Sequence, residues 1–128
     1  MNHGELLARA RLAAENAYAP YSGFRVGAAV LADDGRVFTG ANVENAAYPS
    51  SNCAEAIAVG HAASEGVRRI EAIAVACIDA SSVDDAYPCG RCRQIVNEFG
   101  TGTVYVTTSG PEYRRHTLEE LLPYAFRL

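Results

Sequence analysis

Lysine is absent from this chain: all eleven basic residues are arginine, scattered in ones and twos. Against fifteen acidic residues they leave a formal charge of −4 and a pI near 5.3. A phosphate backbone is gripped by clustered cations, and no basic tail or stripe is present, so electrostatic binding of nucleic acid is excluded. The only arginine pairs, Arg68-Arg69 and Arg114-Arg115, read as solvated surface. No apolar run approaches the roughly 20 residues of a membrane span. Nor does Met1-Asn2-His3-Gly4-Glu5 supply the cationic stretch and apolar core of an export signal. The expectation is a cytoplasmic protein with no membrane partner. Internal repeats and low-complexity tracts are also missing, so loops must carry specificity.

What is present suits a globular core. At 128 residues and 49% hydrophobic content, the chain is expected to form a single domain, 1–128, large enough to bury about two-thirds of its unfolded surface. Leu6, Leu7, Ala10, Ala13, Ala14 and Ala17 recur at helical spacing, predicting a helix from Glu5 to Ala17. Arg25 to Leu31, the turn Asp34-Gly35 and Val37-Phe38-Thr39 predict a hairpin. Asn42 to Ser51 is polar, contains Pro49 and reads as loop; an alanine-rich helix follows from Cys53 to Ala63, stopped by Gly66. Ile70 to Ile78 is a nearly continuous apolar run, the mark of a strand covered on both faces. A polar connection then leads to a helix from Gly90 to Phe99, a short strand at Val104-Tyr105-Val106 and a short helix from Leu118 to Leu122. Alternation of this kind predicts an α/β fold, a mixed sheet with helices on its faces.

In a reducing compartment the four cysteines are better read as metal ligands or core residues than as disulfides. Spacing separates the two roles. Cys89 and Cys92, in Pro88-Cys89-Gly90-Arg91-Cys92, stand three apart at a predicted helix start, where both sulfurs can converge on one ion and the helix N-terminus favours thiolate. Cys53 begins the other helix, in Cys53-Ala54-Glu55. Three protein ligands leave one corner of a zinc tetrahedron open to water, which is the pattern of a catalytic site. Residues two apart on a helix point to different sides, so Glu55 can share the site only if Cys53 sits at the cap, before helical dihedrals begin. The competing reading is a closed, purely structural four-cysteine site that adds Cys77; it leaves Glu55 without a use, and Cys77 lies inside the apolar run. A redox role for Cys89 and Cys92 would leave Cys53-Ala54-Glu55 unexplained.

Together the two motifs resemble the zinc signature of the cytidine and deoxycytidylate deaminase superfamily. The resemblance runs through nearly the whole chain. Tyr18-Ala19-Pro20-Tyr21-Ser22-Gly23-Phe24-Arg25-Val26-Gly27-Ala28, Gly40-Ala41-Asn42-Val43-Glu44-Asn45-Ala46, Cys92-Arg93-Gln94 and Glu120-Leu121-Leu122-Pro123 are similar to its short, tetrameric class acting on free nucleosides. That resemblance implies a cytidine deaminase-like α/β/α sandwich, with a mixed sheet of about five strands and helices on both faces. It implies one Zn2+ per subunit on Cys53, Cys89 and Cys92. Glu55 would take a proton from the zinc-bound water, the resulting hydroxide would attack C4 of the pyrimidine, and Glu55 would return protons to N3 and the departing amine. The products would be a uracil nucleoside and ammonia, a step of pyrimidine salvage.

By the same resemblance Asn42 and Glu44 would bind the ribose hydroxyls, while Phe24 and Phe126 would line the base pocket, Phe126 from a neighbouring subunit of a homotetramer. Ala54 would offer backbone groups to the base, and Tyr48 would lie in the adjoining loop. Blasticidin S or a modified cytosine nucleoside are alternative substrates. One position departs from the pattern: the residue after the glutamate, commonly an arginine bonded to the sulfurs, is Ala56 here. Arg91 or Arg93 is expected to take over. His3, His61 and His116 fall at no ligand position.

Overall fold

The computed structural model describes residues 1–128. In chain order the elements are α1 (His3–Ala14), β1 (Val26–Ala32), β2 (Val37–Ala41), α2 (Ala54–Ser64), β3 (Ile70–Cys77), α3 (Gly90–Glu98), β4 (Thr103–Thr107), β5 (Tyr113–Thr117) and α4 (Leu118–Leu121). Short 3-10 turns occupy Tyr48–Ser50 and Val83–Asp85. The five strands form one sheet in the order β2-β1-β3-β4-β5. It is mixed: β3 and β4 run parallel, and every other pair is antiparallel.

The sheet's two faces are built from different residue sizes, and β3 shows how. Ile73, Val75 and Cys77 alternate with Ala72, Ala74 and Ala76. The larger set joins Val30, Phe38, Val104, Val106, Ala58, Val59 and Val96 in a cluster of 19 buried residues under α2 and α3. The alanines join Leu6, Leu7, Ala10 and Ala29 in a cluster of 7 under α1. Helices therefore cover both faces, α1 on one and α2 with α3 on the other.

Small residues set how closely the helices approach. A Cβ placed on Gly27 of β1 would stand 2.1 Å from the Ala10 carbonyl oxygen and 2.4 Å from the Ala14 nitrogen of α1. On the opposite face a Cβ on Gly40 of β2 would meet the Ala58 nitrogen of α2 at 2.6 Å. Glycine is required at both positions because backbone meets backbone there.

Two differences from the sequence expectations have physical causes. Helix α1 begins at His3 because Asn2 caps it, its side chain accepting from the Glu5 N–H. It ends at Ala14 rather than Ala17, because Tyr18 leaves the helix to pair with the chain beyond β2: its N–H donates to the Asn42 carbonyl, and its own carbonyl accepts from Glu44 N–H. Strand β5 is not predicted by the residues, since Tyr113-Arg114-Arg115-His116-Thr117 carries no apolar alternation. It is an edge strand whose Arg114 and His116 are half-buried beside Val106 and Val104, while Tyr113, Arg115 and Thr117 are exposed. The paired arginines are thus divided between the two faces of the sheet.

Candidate active site

Helices α2 and α3 each begin at a cysteine. Cys53 caps α2 with φ −74° and ψ 151°, and Cys89 caps α3 with φ −69° and ψ 168°. Both have extended dihedrals, the geometry that lets residues two apart share one site. Neither side chain makes a capping hydrogen bond. Cys92, buried in the first turn of α3, completes a group whose three sulfurs lie within 4.8 Å of one another. A tetrahedral zinc with Zn–S bonds of about 2.3 Å spaces its sulfurs by about 3.8 Å, inside that limit.

The protons on these sulfurs point the same way. Cys53 is drawn down to about 6, first because the Cys92 thiol hydrogen-bonds to its thiolate, with lesser help from Cys89 and the positive charge of Arg91. Cys92 is pushed up, chiefly by that same bond to Cys53 and then by burial. Three sulfurs this close ionise together only around a cation, and three thiolates are a donor set for Zn2+. Cys77 stays outside the group, its thiol directed to the Ala86 carbonyl oxygen at 3.6 Å. The closed four-cysteine alternative is thereby overturned.

Glu55 follows Cys53 by two residues and is 4% exposed. Burial pushes its carboxyl up to about 7, with the nearby Cys53 charge acting in the same direction and a hydrogen bond from Cys92 opposing it. A cavity of about 270 Å³ opens over Glu55, Cys53 and Cys89. That is near the small end of the roughly 300–1,000 Å³ range of small-molecule sites.

Phe24, Asn42, Glu44 and Ala54 line the same cavity. Asn42 is locked in orientation: its Oδ1 accepts from Val26 N–H at 2.8 Å and its Nδ2 donates to the Phe24 carbonyl at 2.9 Å. Glu44 accepts from the N–H groups of Tyr21 and Ser22 at 2.9 and 3.0 Å and from the Ser22 hydroxyl. These bonds hold its carboxyl below the usual range, the Ser22 hydroxyl contributing most. Tyr48 and Phe126 are not brought to the cavity by their own chain. Tyr48 is 76% exposed in the neighbouring hollow beside Glu44, and Phe126 is 68% exposed near the C-terminus.

The family model for the cytidine and deoxycytidylate deaminase zinc-binding region matches residues 1–108. The chain belongs to this deaminase family. Cytidine deaminase from Sporosarcina psychrophila is 44% identical over 128 residues, which span 98% of this chain and 92% of that one. Its counterpart from Mycobacterium tuberculosis is 45% identical over 123 residues, covering 96% of this chain and 88% of that one. The crystal structure of cytidine deaminase from Burkholderia pseudomallei superposes with a TM-score of 0.90 at 43% identity, over 98% of this chain and all of that one.

Arg91 and Arg93, the arginines expected to stand in at Ala56, both lie on α3. Arg93 is engaged away from the sulfurs, its Nε donating to the Pro88 carbonyl and an Nη to that of Leu121, both at 2.8 Å. Arg91 is exposed, and its charge acts on Cys53. Three further residues that the sequence did not point to as such line the cavity. Cys77 and Val75 form an apolar wall, and period-two alternation along β3 could have placed them together. Tyr87 also lines the cavity, immediately before Pro88-Cys89.

Proposed function

We propose that this protein is a zinc-dependent hydrolytic deaminase of cytidine and 2'-deoxycytidine, yielding uridine or 2'-deoxyuridine and ammonia. The observation carrying this reading is the buried carboxyl of Glu55 beside three clustered sulfurs on a cavity of nucleoside size. Cys53, Cys89 and Cys92 would hold zinc, which would supply a Lewis acid able to lower the pKa of water. Glu55 accepts the proton, and its raised affinity for it suits a group that must give it back near neutral pH. Over the reaction the C4–O bond forms, the C4–N bond breaks, and Glu55 delivers protons to N3 and to the leaving amine.

Phe24 packs on the base, and Ala54 offers it backbone groups. The fixed amide of Asn42 and carboxylate of Glu44 suit a neutral diol, and the negative charge of Glu44 disfavours a 5'-phosphate. Tyr48 borders the entrance. Phe126, exposed on its own chain, supplies the missing wall of a neighbour's site in a homotetramer of single-domain subunits, residues 1–128 each. The proposed role is pyrimidine salvage in the cytoplasm; no helix is long and apolar enough to cross a membrane.

The test is turnover of a panel of cytosine nucleosides with blasticidin S at equal concentration, alongside metal analysis. One zinc per chain and loss of cytidine absorbance are expected. Zinc is expected to persist in Cys77→Ser and to be lost in Cys53→Ser. Faster turnover of blasticidin S than of cytidine would move the assignment to the antibiotic.

A further inference from the structure

Tyr87 belongs to the connection between β3 and α3 and lines the cavity, while the partners of its hydroxyl do not. The Tyr87 hydroxyl lies 2.7 Å from His116 Nε2, and Arg114 donates to the same oxygen at 3.5 Å. Both partners come from β5, on the side of that edge strand which faces α3. The chain continues outward. His116 Nδ1 stands 3.6 Å from Glu120 Oε2. The other oxygen of Glu120 is already held, accepting from the Thr117 N–H at 3.1 Å and its hydroxyl at 3.0 Å in the capping box that starts α4. Arg114 is in turn paired with Asp84 in the 3-10 turn before Tyr87.

We propose that Tyr87 is a positioning residue for substrate, held by a latch running from Glu120 through His116. The fixed Glu120 carboxylate favours the His116 tautomer with its proton on Nδ1, which leaves Nε2 free to accept from the Tyr87 hydroxyl. A tyrosine tied at its hydroxyl cannot swing into or out of the cavity, so one wall of the site is fixed before substrate arrives. This lowers the ordering cost of binding and leaves the bond-making groups untouched. Because Tyr87 is joined through Pro88 to Cys89, the latch also steadies the approach to the metal ligands. No contact to the reacting atoms is required of it.

The inference rests on the proposed deaminase reading, and the experiment keeps the two apart. Zinc-loaded wild type, Tyr87→Phe, His116→Ala, His116→Gln and the Tyr87→Phe/His116→Ala double variant are compared for cytidine turnover and zinc content. Tyr87→Phe keeps the ring and loses the anchor. It is expected to raise KM about two- to tenfold, the net size of one hydrogen bond, with kcat within about twofold of wild type. His116→Ala is expected to match it, the double variant to add nothing further, and His116→Gln, whose amide oxygen can occupy the Nε2 position, to restore KM. Nitrogen-resolved NMR of the His116 ring reports the latch independently, with Nε2 unprotonated in wild type and its resonance moved by Tyr87→Phe. Unchanged KM in Tyr87→Phe, additive losses in the double variant, a fall confined to kcat, or a ring signal indifferent to Tyr87→Phe would each overturn the proposal. Should wild type not deaminate cytidine at all, the functional reading fails, and the ring signal alone decides whether the latch exists.

Discussion

At the scale of single residues, the chemistry concentrates on Glu55. Glu55→Gln preserves shape and leaves the sulfurs intact, so zinc content is expected to hold at the wild-type level while kcat falls about 10²- to 10⁴-fold, the range for loss of a general acid–base group. Absorbance assays and metal analysis on the same sample check both halves. Burial adds a second consequence in the metal-free protein. The Glu55 carboxyl titrates near 4.5 when exposed and is pushed up to about 7 in the fold. Between those values the folded protein holds a proton that the unfolded chain has released, so this contribution to stability is whole below pH 4.5 and is lost as pH rises towards 7. Relative to metal-free Glu55→Gln, metal-free wild type is expected to lose stability across that window, on the order of 3 kcal/mol. Urea titrations at several pH values measure the difference. The metal ligands were legible in the sequence because their spacing is local: a cap cysteine and a first-turn pair need no knowledge of the tertiary fold. Tyr87 was not, because its hydroxyl partner His116 lies 29 residues away on an element that the sequence hides.

Elements decide whether that local chemistry is aimed correctly. Gly40 lets β2 touch the backbone of α2, the helix that carries Cys53 and Glu55 at its start, whereas Gly27 does the same for α1 on the far face. Gly40→Ala and Gly27→Ala are each expected to destabilise by at least the ~1–3 kcal/mol typical of overpacking, since backbone cannot step aside as a side chain can. Only Gly40→Ala is expected to change kcat and zinc affinity per folded molecule, because it displaces α2. Thermal melts with kinetics on the folded fraction separate the two. The helices and the first four strands could be read from periodicity and from Gly and Pro punctuation. Strand β5 could not. Its inward residues are Arg114 and His116, so the alternation of buried and exposed positions is written in two polar side chains and looks like a charged surface.

For the molecule as a whole, the sign of the charge and the α/β layering were legible in the sequence, while a single chain leaves Phe126 exposed and away from the cavity. If neighbouring subunits complete each cavity, Glu55→Gln and Phe126→Ala subunits, each weak alone, are expected to regain activity when mixed and reassembled. Every mixed contact can then pair an intact carboxyl with an intact aromatic ring. Mass measurement by light scattering is expected to give four times the 13.6 kDa chain. Activity of the mixture no greater than the sum of its parts would show that each chain works by itself. The unequal faces of the sheet have a further outcome for how the fold comes apart. The cluster under α1 is the smaller of the two, 7 buried residues of which only Leu6 and Leu7 are larger than alanine, against 19 on the other face, and the three bonds from Arg11 to Thr107, Thr108 and Gly110 are the helix's main polar tether. The first helix is therefore the part expected to peel away while the catalytic half stands, and its amide protons should trade for deuterium well before those of β3.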